Sequence, residues 1–194
     1  MIESPLRSLK FRNLFTYLSA AAALAAVWPS EWPVAAQAGC FLGVSAFFDM
    51  LDGAFARLFP SSDFDRNIGG QLDSLVDAIA FGFVPALTLA RLGSFDAPTI
   101  VASFAFVIAA VSRLAFYNVA TSEGRFFIGV PTTVAGGLFW STSLLIEMTP
   151  LSRATTLFVL AVLMVAPLKI PRPRGKGLLP LLLWSLVLAA LHAR

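Results

Sequence analysis

Thiol and imidazole chemistry are almost missing from this 194-residue chain, which has one cysteine, Cys40, and one histidine, His192. A lone cysteine closes no intrachain disulfide, and within the run CFLGVSAFF it reads as a small buried hydrophobe. His192 stands two residues from the end of the sequence, far from the acidic residues described below. With no His/Cys cluster, zinc is not expected. Charge is scarce too: Asp, Glu, Lys and Arg make up 13% of residues, where a soluble domain carries about 25%.

Apolar residues fill the gap. They make up 58% of the chain, and the mean hydropathy is +0.81. One polytopic membrane domain over residues 1–194 is the expected organisation. The net charge is +3. In a membrane protein a basic excess marks cytoplasmic loops, so no nucleic-acid partner is expected. The opening MIESPLRSLKFRN, followed by LSAAAALAA, has the outline of a signal peptide. Further hydrophobic segments follow, and a retained first span is the preferred reading.

A membrane helix needs about 20 largely apolar residues. Candidate stretches run from about 13–28, 33–59, 69–92, 98–119, 130–148, 154–168 and 178–191. The linkers carry breakers, as at 29–33, 93–98 and Thr149-Pro150. Unpaired backbone groups are too costly in lipid, and continuous apolar runs favour helices over barrel strands. The expected fold is an all-α membrane helix bundle. It has six core transmembrane helices, a seventh at 178–191, and a short basic N-terminal helix on the interface. A cytoplasmic N-terminus puts Arg7, Lys10, Arg12, Arg57, Arg66, Arg113, Arg125, Lys169, Arg172, Arg174 and Lys176 on that side. Arg91, Arg153 and Arg194 fall on the other, a division of 11 against 3 among the 14 Lys and Arg. That asymmetry predicts an integral protein of the cell membrane with the 58–68 loop facing the cytoplasm.

Four aspartates resist the apolar pattern. Asp49 and Asp52 are three residues apart near the end of the second span, and Asp73 and Asp77 four apart near the start of the third. At about 100° per residue each pair shares a helix face. A short connection makes the helices antiparallel neighbours, so both pairs can face one site near the cytoplasmic surface. Charges at this depth cost at least about 2.5–3.5 kcal/mol each, and like charges repel. Either several aspartates are protonated or cations neutralise them. All-oxygen ligands select hard ions such as Mg²⁺ or Mn²⁺, and a two-metal site suits displacement at phosphorus. Gly53 and Ala56 leave room for a bulky ligand, and Arg57 can meet a phosphate or carboxylate. On spacing alone a cation or proton transporter remains the alternative to an enzyme.

The segments DMLDGAFAR (49–57) and GGQLDSLVD (69–77) resemble the motif of the CDP-alcohol phosphotransferases, D-x2-D-G-x2-A-R, a spacer, then G-x3-D-x3-D. The spacer, 58–68, has eleven residues where eight is usual. LDSLVDAIAFGFVPA, RLAFYN (113–118), FIGVP (127–131), Ala135-Gly136 and LMVAPLKIPRP (163–173) look like the phosphatidylserine synthases within that family. Phe116 departs from it, standing where RLARFN has a second arginine.

The resemblance implies transfer of a phosphatidyl group from CDP-diacylglycerol to L-serine, giving phosphatidylserine and CMP. Glycerol-3-phosphate, an inositol phosphate or choline are alternative acceptors. It implies two divalent cations, Mg²⁺ or Mn²⁺, on Asp49, Asp52, Asp73 and Asp77, with Asp77 as general base. It puts Gly53, Ala56, Arg57, Gly69, Asn13 and Thr16 near the nucleotide. Arg113, Asn118 and Arg125 are candidates for the acceptor or a lipid phosphate, with a membrane-surface anchor as the plainer role for the arginines. Gly39 and Gly43 form GxxxG, which predicts close helix packing, in a homodimer among other arrangements. Gly82 and Pro85 are expected to bend the third span. The basic loop 169–176 is expected to be an orientation and lipid-surface element.

Overall fold

The computed structural model describes residues 4–92, 96–120, 126–173 and 175–194. Seven helical rods stand side by side among them. They are α1 (Leu14–Val27), α2 (Val34–Ala56), a continuous rod of α3 (Asp63–Asp77), a π-helical segment (Ala78–Phe83) and α4 (Val84–Leu92), then α5 (Ala97–Val119), α6 (Thr132–Leu145), α7 (Pro150–Val165) and α8 (Leu179–His192). Three of them, α2, the α3–α4 rod and α5, are long and apolar enough to cross a bilayer. The chain is an all-α membrane protein. Its outer surface fits lipid: Leu24, Phe104, Ile108, Val159 and Leu183 are all exposed apolar side chains.

Short links make successive rods antiparallel. At the far end Gln37 donates to the carbonyls of Ala25 (2.6 Å) and Trp28 (2.7 Å), closing the turn between α1 and α2. Arg91 donates to the Val27 carbonyl at 3.0 Å. The N-terminus of α1, the C-terminus of α2 and the N-terminus of α3 therefore meet at the opposite end. The core between the rods is made of small residues with a few large anchors, Phe81, Phe106, Phe139 and Trp140, all almost fully buried.

Several sequence expectations are corrected here. The third span starts at Asp63, not at residue 69. Ser62 caps it: Asp65 N–H donates to Ser62 Oγ (3.1 Å), and Ser62 N–H donates to Asp65 Oδ2 (3.2 Å). This capping box winds the polar stretch 63–68 into helix instead of loop. The N-terminal interfacial helix is replaced by two short 3₁₀ turns, Pro5–Ser8 and Phe11–Asn13, with Leu6, Leu9 and Phe11 exposed.

Two three-residue strands, β1 (Phe126–Ile128) and β2 (Lys169–Pro171), pair antiparallel where only loops were expected, with Phe127 opposite Ile170. Gly129, at φ +71°, turns the chain out of β1, and a side chain there would strike the Met164 carbonyl oxygen. The loop 169–176 is thus partly built into the fold.

The register changes in the middle of the third rod. Pro85 has no N–H to donate, and the π segment before it carries the chain past that defect. The Thr88 hydroxyl donates to the Val84 (2.8 Å) and Pro85 (2.9 Å) carbonyls. Gly82 permits contact with α5: a Cβ there would lie 3.0 Å from the Ala110 methyl.

The homodimer expected of Gly39 and Gly43 is not supported. A Cβ at Gly39 would collide with the His192 ring, and one at Gly43 would lie 2.8 Å from backbone atoms of Ser185 and Ala189. The GxxxG face is filled by α8 of the same chain.

Candidate active site

Helix periodicity and the short link between α2 and α3 bring the aspartates together. Asp49, Asp52 and Asp73 each offer a carboxylate oxygen within 4.8 Å of the others. Asp77 joins them one turn deeper, in hydrogen-bonding contact with Asp49, and its Oδ1 is buried without a partner. Hydroxyls from two other helices hold the cluster. Thr16 on α1 donates to Asp52 Oδ2 (2.9 Å), and Thr133 on α6 donates to Asp49 Oδ2 (3.1 Å). Each fixes one carboxylate oxygen by a hydrogen bond. Three oxygen donors at this separation, with the unpartnered Oδ1 of a fourth carboxylate beside them, fit a hard divalent cation.

On one side of the cluster lies a polar cleft of about 210 Å³. All six residues expected near the nucleotide, Asn13, Thr16, Gly53, Ala56, Arg57 and Gly69, line it together with Asp52 and Asp73. Its walls come from three segments. Phe11 and Phe15 pack on Phe55 with centroids 5.6 and 4.4 Å apart, fastening the start of α1 to the end of α2. Lys10 reaches Asp65 at 2.6 Å, fastening the same segment to α3. Gly53 forms part of the floor, and a Cβ there would lie 3.7 Å from Arg57 Nη1.

Two arginines in this cleft were not expected as site residues, Arg12 and Arg66. Arg12 is 9% exposed, and its Nε and Nη1 have no partner. Arg66 pairs with Asp63 and lies one helical turn before Gly69, so helix periodicity alone could have flagged it.

On the other side is a mainly apolar cavity of about 630 Å³ between α2, α6, α8 and the strand pair. Asp49 and Thr133 line it with Met50, Phe127, Leu138 and Leu181. The carboxylate cluster therefore separates a cationic cleft from a greasy cavity.

Of the residues expected at the acceptor, Arg113 is buried on α5, with its guanidinium over the Tyr117 ring at 4.6 Å. It lies within electrostatic reach of Asp77. Asn118 takes a hydrogen bond from Ser74 Oγ (2.7 Å) and donates to Gln71 Oε1 (3.3 Å). It thus ties α5 to the exposed flank of α3. Arg125 lies outside the described residues.

The arrangement defines a class: a membrane helix bundle with a carboxylate cluster between a polar and an apolar recess. Residues 10–191 match the CDP-alcohol phosphatidyltransferase family model, and the chain belongs to that family. It is 34% identical over 143 residues to an archaetidylserine synthase of Methanothermobacter thermautotrophicus, a match covering 73% of this chain and 61% of that protein. It is 33% identical over 130 residues to a CDP-diacylglycerol–serine O-phosphatidyltransferase of Mycobacterium bovis, covering 61% and 43%. The corresponding enzyme of Helicobacter pylori is 33% identical over 132 residues, covering 66% and 54%. The matches span about half the length of these relatives.

Proposed function

We propose that this single membrane domain transfers a phosphatidyl group from CDP-diacylglycerol to the hydroxyl of L-serine, releasing CMP. One observation carries the reading: the aspartates lie between a cleft lined by arginines and a cavity lined by apolar side chains. A nucleotide-lipid donor has that same order, with a diphosphate between a polar base and acyl chains. The names of the relatives support serine as acceptor. The cleft beside the aspartates holds Arg12, Arg57 and Arg66. That suits an anionic ligand and disfavours a cation pathway.

In this mechanism Asn13, Thr16, Gly53, Ala56, Arg57 and Gly69 hold the cytidine nucleotide. Arg57 pairs with a phosphate as a planar fork. Asp49, Asp52, Asp73 and Asp77 would hold two divalent cations, Mg²⁺ or Mn²⁺, which when bound offset the charge of the diphosphate and polarise the phosphorus. Asp77, deepest of the four, takes the proton from the serine hydroxyl. The freed oxygen attacks the lipid-bearing phosphorus, and the bond to the CMP phosphate breaks. Arg113 receives the acceptor, with Asn118 and Arg125 as the further candidates for that role. The basic residues at this end of the bundle support an active site that opens on the cytoplasmic side of the cell membrane.

The test is CMP release by purified protein in detergent with CDP-diacylglycerol, Mg²⁺ or Mn²⁺, and a panel of alcohols. Turnover is expected with L-serine. Turnover with glycerol-3-phosphate, an inositol phosphate or choline, and none with serine, would overturn the acceptor assignment.

A further inference from the structure

A third recess lies at the end of the bundle away from the aspartates. Ala35 stands there at the start of α2, Leu92 closes α4, and Phe139, Trp140 and Ser143 come from the last turns of α6. Between them and the start of α7 is a cavity of about 340 Å³, within the usual range for ligand cavities, about 300–1,000 Å³. Both α2 and the α3–α4 rod are long enough to cross a bilayer, so a cavity at their ends sits at headgroup depth. Phe139 and Trp140 form the buried part of its wall, packed edge to face with centroids 5.1 Å apart. Trp140 Nε1 has no hydrogen-bond partner, so the wall keeps an unused donor.

Two opposite charges line the same cavity. Glu147 is exposed on the turn after α6, and Arg153 is half-buried in the first turn of α7. Neither pairs with the other or with any other described residue. A carboxylate and a guanidinium placed in this way match a ligand that carries both an anion and a cation. Arg153 offers a fork to a phosphate, and Glu147 accepts from an ammonium. The surface around them is apolar, with Leu145, Ile146 and Leu151 all exposed. A water-soluble zwitterion has no use for that rim, whereas the acyl chains below a headgroup would lie along it.

We propose that this cavity seats the headgroup of a phospholipid of the phosphoethanolamine type, drawn from the leaflet opposite the aspartates. The phosphate lies at Arg153 and the ammonium at Glu147. A phosphoglycerol headgroup gives Glu147 no cationic partner, and the extra carboxylate of a phosphoserine headgroup meets Glu147 as a like charge. The site therefore selects a zwitterionic headgroup over an anionic one. A lipid bound there touches α6 and α7 together and stabilises the folded bundle by mass action. It takes no part in phosphatidyl transfer, and it holds whichever alcohol is the acceptor.

The test uses the full chain in detergent, freed of lipid, with dioleoylphosphatidylethanolamine, dioleoylphosphatidylglycerol or water-soluble glycerophosphoethanolamine added back. Binding is read by native mass spectrometry and stability by the apparent Tm. Phosphatidylethanolamine is expected to bind about tenfold more tightly than phosphatidylglycerol, the scale of one charged hydrogen bond, and to raise the Tm. Glu147→Gln should erase that preference by weakening phosphatidylethanolamine alone. Arg153→Gln should weaken both lipids, again by about tenfold. The lipid-free Tm of each variant separates lost binding from a lost fold, and the preference of the unaltered protein decides the matter even if a variant is unstable. Equal affinity for the two lipids in the unaltered protein would overturn the proposal, as would binding that neither substitution changes. Glycerophosphoethanolamine binding as tightly as the lipid would also overturn it, giving the cavity to a soluble zwitterion.

Discussion

Asp77 differs from Asp49 and Asp52 in what surrounds it. Asp49 and Asp52 each take a threonine hydroxyl, whereas Asp77 keeps a buried oxygen that no protein group satisfies. An oxygen kept free in this way is available to a substrate hydroxyl. Asp77→Asn keeps the shape and removes the basicity. It is expected to lower kcat at least about 10²-fold, the low end of a general base's contribution. Mn²⁺ binding through Asp49, Asp52 and Asp73 should persist in titration calorimetry. Asp49→Asn should lose both. Full turnover in Asp77→Asn would exclude it as the base. The aspartates were legible in the sequence because residue spacing and helix period alone place them. Thr133 was not, because it reaches the site from a remote segment and nothing in the local pattern marks it.

Among the elements, α8 is the one that closes the bundle against α2, and Gly43 is where it does so. Gly43→Val would press a branched side chain into the backbone at Ser185 and Ala189. Overpacking of this kind costs about 1–3 kcal/mol. The apparent Tm in detergent should fall by roughly 2–4 °C for each kcal/mol, while light scattering shows the same oligomeric state as the unaltered protein. A shifted oligomeric state with unchanged Tm would instead put the glycines in an interface between copies. GxxxG thus signalled close helix packing correctly, but not which helix packs there. The hydrophobic runs located the rods to within a few residues. They missed the polar start of α3, where a Ser62–Asp65 capping box outweighs low hydropathy. They also missed the strand pair, whose three-residue strands are too short to show a period.

At the scale of the whole molecule, the alternation of seven rods gathers chemistry and basic charge at one end. Lys10, Arg12, Arg57, Arg66, Arg113, Lys169 and Arg172 lie at the end that holds the aspartates. Arg91 and Arg153 belong to the other end, with Gln37 and His192. A charge difference of this size predicts that the aspartate end stays in the cytoplasm, where a soluble acceptor and released CMP would exchange. The single native cysteine makes this measurable. In a Cys40→Ser background, Leu58→Cys marks the exposed link between α2 and α3, and Glu147→Cys marks the exposed turn after α6. With intact cells, a membrane-impermeant maleimide should label Glu147→Cys directly and Leu58→Cys only after permeabilisation. The reverse pattern would turn the bundle over and place the carboxylate cluster on the outer face, away from cytoplasmic serine.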